Sequence, residues 1–160
     1  MSEQISVIEG NKAQKYQSLL PQIEALVSAE DDVIANLANI SAALKQAMGF
    51  FWVGFYRAKT PDMLVLGPFQ GPVACTRIPK GKGVCGAVLE QRKTLIVPNV
   101  DDFPGHIACA SESKSEIVLP IFHRGGVAWV LDIDSDQLDS FDETDQHWLE
   151  KLTAVISLML

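Results

Sequence analysis

Cys75, Cys85 and Cys109 are the side chains of this 160-residue chain best suited to covalent chemistry, and their spacing pairs none of them. No C-x-x-C occurs, so neither a zinc ribbon nor a thioredoxin-like redox motif is expected, and no metal site. An odd count argues against a structural disulfide framework. The thiols are then either inert buried groups or reagents. Cys85 stands inside Gly81-Lys-Gly-Val-Cys-Gly-Ala-Val88, which matches G-x-G-x-x-G. A dinucleotide-binding turn of that pattern needs a buried strand before it and a full helix after it. Here the preceding CTRIPK is short, polar and closed by Pro79. The following VCGAVLEQRK offers only about two helical turns. The glycines instead predict a tight, mobile turn whose amides face a short helix. With Lys80 and Lys82 alongside, helix N-terminus and cations would both lower the Cys85 thiol pKa.

Cys109 lies in FPGHIACASESKSEIVLP, where Pro104-Gly105 marks a loop and the polar run 111–115 keeps the segment near the surface. An accessible thiol is expected there. His106, three residues earlier, is either its partner or, more commonly for a loop histidine, a solvated side chain. Cys75, in GPVACTRI, has only Arg77 as an activating neighbour. The acids complete the set. In VLDIDSD, alternation puts Asp132 and Asp134 on one face of a strand, and Glu116 approaches them across a hairpin. Carboxylates near a sheet core are costly unless a cation or a shared proton answers them. One could stay ionised against a ligand ammonium while another keeps a raised pKa and donates a proton. The alternative is that they sit past the end of the sheet, in solvent.

The elements that must hold these groups follow from hydrophobic period. Tyr16, Leu19, Leu20, Ile23, Leu26 and Val27 recur at helical spacing, with Pro21 expected to kink or restart the helix. Val33, Ile34, Leu37, Ile40, Leu44 and Met48 form a second stripe. From residue 50 the pattern becomes strand. FFWVGFY and MLVLG flank a Thr-Pro-Asp turn, TLIVP is a short run, and 117–122 and 127–133 flank His123-Arg-Gly-Gly126. The last two are almost continuously apolar, so they should be central and covered on both faces. Ser140-Phe-Asp-Glu143 reads as a capping box that opens a final helix. Helices (1–48), strands and loops (50–135) and a closing helix (140–160) make one α+β domain, 1–160, with a mainly antiparallel sheet.

Bulk properties set limits. A net charge of −7 argues against nucleic acid or an anionic membrane as partner. No leader and no apolar run long enough to span a bilayer are seen, which points to a cytoplasmic protein.

The runs WVGFY, GPVAC, IPKGKGVCG, FPGHIAC, SEIVLP and LDIDS, with FDETD before the terminal helix, resemble the free methionine-(R)-sulfoxide reductases, small stand-alone GAF-domain enzymes. The resemblance covers nearly all of the chain beyond the N-terminal helices and takes in all three cysteines in order. It implies a GAF-like sheet of about six antiparallel strands, usually in a homodimer. It implies reduction of free methionine-(R)-sulfoxide without a cofactor, with recycling by a thioredoxin-type reductant. Cys109 matches the nucleophile and Cys75 a resolving cysteine, while Cys85 matches a third cysteine given a catalytic or resolving part in some members. Glu116, Asp132 and Asp134 match the pocket carboxylates, and Trp52 and Tyr56 fall in the aromatic strand that lines the pocket. The chain departs from the pattern after Cys109, where Ala-Ser-Glu replaces an expected aspartate, and at Trp129, where a small residue is expected; both bear on pocket shape. The competing reading is a non-catalytic GAF module that senses a small ligand, although this length leaves no room for a fused output domain. A thiol-based peroxide sensor is a third.

Overall fold

The two N-terminal apolar stripes become helices α1 (Lys12–Ser28) and α2 (Val33–Met48) in the computed structural model, which describes residues 4–107 and 109–160. Residues 1–3 and Ala108, the latter within the FPGHIAC run, lie outside the described residues. Pro21 sits inside α1 without dividing it. It removes one i→i−4 bond, but Leu19, Leu20 and Ile23 around it are buried in the core, and packing rather than propensity holds the helix. Among the described residues no helix is long and apolar enough to cross a membrane.

Six strands follow: β1 (Trp52–Thr60), β2 (Met63–Gln70), β3 (Arg77–Pro79), β4 (Leu95–Val97), β5 (Ser115–His123) and β6 (Gly126–Ser135). They form one sheet in the order β3-β2-β1-β6-β5-β4, with every neighbouring pair antiparallel. Both expected hairpins are present; β5 is buried along most of its length and β6 over its middle, from Trp129 to Ile133. The edge strand β3 was hidden in CTRIPK, because three residues are too few to show a period.

The sheet has two covered faces. On one, Phe55, Leu119, Leu131 and Ile133 pack beneath α1, α2 and the closing helix α4 (Glu143–Leu158). Trp129 belongs to this face, where its ring lies 2.7 Å from where a Cβ on Gly67 would stand. It therefore leaves the pocket's shape alone, contrary to expectation. On the other face, Tyr56, Val118 and Val130 meet helix α3 (Gly83–Gln91) and the loops around it.

The N-cap of α4 is Asp142, two residues beyond the serine expected. Its side chain accepts from the Thr144 and Asp145 N–H groups, and Asp145 answers by accepting from the Asp142 N–H at 2.9 Å. Ser140 is otherwise engaged, with its hydroxyl 2.7 Å from that of Ser135. A carboxylate also suits the positive end of the helix better than a hydroxyl. Asp145 is fixed in turn by Tyr16 Oη at 2.6 Å and Lys12 Nζ at 2.5 Å, which ties α4 to α1.

Candidate active site

The second face becomes a site because its strands carry acids where apolar residues would otherwise continue. Strand register sets Glu116 directly opposite Asp134, and Asp132 opposite Gly54. Alternation carries Asp132 and Asp134 to the side of Val130, away from the helix-covered core. The reading of these acids as solvated residues past the sheet's end fails. Glu116 and Asp132 are each only 6% exposed, Asp134 is partly covered, and all three line one cavity. Burial raises the pKa of every one of them, and the neighbouring carboxylates push Glu116 and Asp134 higher still. No Lys or Arg among the described residues lies within salt-bridge distance of the trio. Asp132 Oδ1 is buried with no hydrogen-bond partner among the described residues. Such a group is costly unless something binds it.

Cys85 occupies the first turn of α3 and lines the same cavity. Its expected activation is overturned. Burial is the largest effect on its thiol, followed by Asp132 and Glu116, and together they push the pKa well above the ordinary value. Lys80 and Lys82 are exposed and do not offset the acids packed against the sulfur. The glycine turn is also tied down rather than free. The Gly81 N–H donates to Gly86 O at 2.8 Å and the Gly83 N–H to Gly105 O at 3.1 Å. Gly83 holds φ +62°, and a Cβ on Gly86 would collide with the Pro79 carbonyl. The glycines let α3 press its N-terminal turn, and with it Cys85, into the sheet.

Cys75 and Cys109 are joined by a disulfide with Cα atoms 5.3 Å apart, a distance usual for a bridge. Both lie on loops and are half-buried, which puts Cys109 within reach of solvent but less open than its polar surroundings suggested. Cys85 is the free thiol. Trp52 and Tyr56 line the cavity, and their polar ends anchor the Cys75 loop. Trp52 Nε1–H donates to Pro72 O and Tyr56 Oη to Cys75 O, each at 2.9 Å. The Trp52 ring stacks on Phe69 with centroids 5.2 Å apart, over the space that Gly54 leaves open. His106 is half-buried in the cavity wall beside Cys109 rather than solvated, and burial lowers its pKa. Lys82 and Ser113 also line the cavity, and sequence reasoning did not single out either for it. Their only signal was closeness to Cys85 and Cys109 along the chain.

The arrangement sets one end of the Cys75–Cys109 disulfide, Cys109, in the wall of a pocket lined with carboxylates, an indole and a phenol. Comparisons with known proteins give the family. The GAF domain family matches residues 28–160. The chain is 56% identical over 98% of its length to GAF domain-containing protein A of Dictyostelium discoideum, covering 99% of that protein. It is 42% identical over 94% of its length to a free methionine-R-sulfoxide reductase of Escherichia coli, covering 91% of it. The structure superposes with a TM-score of 0.97 on the free methionine-R-sulfoxide reductase of Neisseria meningitidis, solved with its substrate, at 50% identity and with 99% and 95% of the two chains covered. The chain belongs to the free methionine-R-sulfoxide reductase family of GAF-domain proteins.

Proposed function

We propose that this protein reduces free methionine-(R)-sulfoxide to methionine. The observation that carries the reading is the trio of buried Glu116 and Asp132 with partly covered Asp134, which no Lys or Arg among the described residues pairs, in one cavity with Cys109 of the Cys75–Cys109 pair. A free amino acid brings the ammonium that such a trio lacks. Its carboxylate finds the amides of the first turn of α3 and the Lys82 ammonium. The S-methyl group packs against Trp52. A residue within a protein chain has no free ammonium to offer, which favours the free amino acid.

The chemistry balances as a two-thiol reduction. The Cys109 thiolate attacks the sulfoxide sulfur, a carboxyl group of the trio protonates the oxygen, and the oxygen passes to Cys109 as a sulfenic acid while methionine leaves. The raised pKa values of the trio favour its carrying that proton. The Cys75 thiol displaces water from the sulfenic acid and forms the disulfide. A thioredoxin-type dithiol then takes up the bridge by exchange and frees both thiols. Cys85, buried and held protonated, serves as a pocket wall in this scheme rather than as first attacker. The homodimer that the resemblance implies and a cytoplasmic location belong to the same proposal, and sedimentation and fractionation test them.

Cys109→Ser should abolish dithiol-dependent loss of free methionine-(R)-sulfoxide. Reduced wild-type protein given the sulfoxide alone should become about two mass units lighter as the disulfide closes. Full activity in Cys109→Ser would refute this assignment and transfer the attack to Cys85.

A further inference from the structure

We propose that Cys85, Glu116 and Asp132 form a binding site for a thiophilic divalent cation of the zinc class, inside the cavity already described. One donor atom from each, the Cys85 sulfur and a carboxylate oxygen of Glu116 and Asp132, lie within 4.8 Å of one another, and all three residues are buried. They come from α3, β5 and β6, so no spacing rule applied to the chain would have found them. Donors sharing one zinc ion sit about 3.5 Å apart when zinc–sulfur and zinc–oxygen bonds are near 2.3 and 2.1 Å. Side-chain rotation of about an ångström closes that gap.

A second observation points to a cation independently of the cluster. Asp132 lines this cavity and is only 6% exposed, and its Oδ1 has no hydrogen-bond partner among the described residues. No Lys or Arg among the described residues comes within salt-bridge distance of these acids. The donor set then selects the ion. Magnesium and calcium want oxygen alone, whereas one thiolate with two carboxylates suits zinc and its spectroscopic stand-ins, cobalt and cadmium. An ammonium is satisfied by the carboxylates alone. A metal binds the sulfur as well, which otherwise shares only a hydrogen bond with Asp132.

Binding deprotonates Cys85, and the proton leaves to solvent as the metal–sulfur bond forms. No electron moves. The ion occupies the carboxylates that the substrate ammonium would use, so zinc and free methionine sulfoxide exclude one another. The site itself does not depend on the reduction chemistry.

The oxidised protein makes a clean test, because its Cys75–Cys109 bridge leaves Cys85 as the free thiol. Titrating it with cadmium(II) should raise an ultraviolet thiolate-to-metal charge-transfer band that saturates at one ion per chain and is displaced by zinc(II). Cys85→Ser should lose the band. Glu116→Gln and Asp132→Asn, which leave the thiol in place, should each weaken binding by about tenfold or more. Circular dichroism verifies that each variant is folded, and the two isosteric variants still decide the matter if Cys85→Ser is not. The proposal is overturned if the oxidised protein gives no band or if the band survives Cys85→Ser. It is overturned equally if binding appears only after reduction and disappears in Cys75→Ser/Cys109→Ser, since the ion would then be held by those two thiols. Should zinc bind as described while the protein fails to reduce the sulfoxide, the reductase reading falls and the metal site stands.

Discussion

At the scale of single residues, the site is built from groups whose proton affinity burial raises. Glu116, Asp132 and Asp134 all have raised pKa values, with loss of solvent as the main cause. A cationic ligand binds the ionised forms, so its arrival must expel protons that the empty site retains. Affinity for free methionine sulfoxide should therefore rise with pH across the interval between ordinary carboxylate values and the raised ones. Asp132→Asn should flatten that rise and increase KM by about 10- to 100-fold, the worth of a hydrogen bond to a charged group. Steady-state kinetics against pH measures both; an unchanged KM profile would remove Asp132 from ammonium recognition. Cys85 follows the same logic. Its buried, protonated thiol should resist iodoacetamide in the native reduced protein while Cys75 and Cys109 are alkylated, and unfolding should abolish the difference.

At the scale of elements, strand β1 does more than line the pocket. Through Trp52 and Tyr56 it grips the loop that carries Cys75 at two backbone carbonyls. Tyr56 is thereby a positioning residue for the second half of the reaction, when Cys75 must reach the oxidised Cys109. Tyr56→Phe removes one anchor, with a net worth of about 1 kcal/mol, so disulfide closure should slow by about 2- to 10-fold. Release of the first methionine should keep its rate. Rapid quenching, with a sulfenic-acid trap added at intervals, separates the two steps. Equal slowing of both would mean that Tyr56 acts on substrate instead.

These elements were unequally legible in the chain. The β1–β2 and β5–β6 hairpins, the shared face of Asp132 and Asp134, and the approach of Glu116 all followed from period two and a turn signal, because strand register transmits local pattern across a sheet. The N-cap of α4 was misplaced by two residues, because Ser140 and Asp142 both suit the role and only tertiary contacts with Ser135 and Lys12 decide between them. The environment of Cys85 was misread for a related reason. Its chain neighbours are lysines, but its spatial neighbours are acids from two strands remote in sequence. Local charge predicts a thiol's pKa only where local residues are also its nearest ones.

For the whole molecule, the site is a standing cost to stability. The unfolded chain titrates these carboxyls near their ordinary values, while the folded state holds the protons to higher pH. Between those limits the native protein binds more protons, so unfolding free energy must fall as pH rises. The stabilising contribution is complete below the unfolded values and is lost as pH climbs through the folded ones. Each retained proton adds about 1.4 kcal/mol per pH unit to that slope. Glu116→Gln/Asp132→Asn/Asp134→Asn should therefore be inactive yet melt higher than the wild type at neutral pH, with the gap closing towards pH ~3, below the unfolded values, where the wild-type trio is protonated in both states. Asp142 and Glu30, whose pKa values are lowered, oppose this trend equally in both proteins, so they cancel in the comparison. Saturating free methionine sulfoxide should raise the wild-type melting temperature most at neutral pH and leave the triple variant unmoved. Calorimetry from acid, below the ordinary carboxyl values, to neutral pH reads both effects. Parallel curves for the two proteins would mean that the trio's charge is balanced in the folded state after all, and that the pocket does not depend on its ligand for the missing cation.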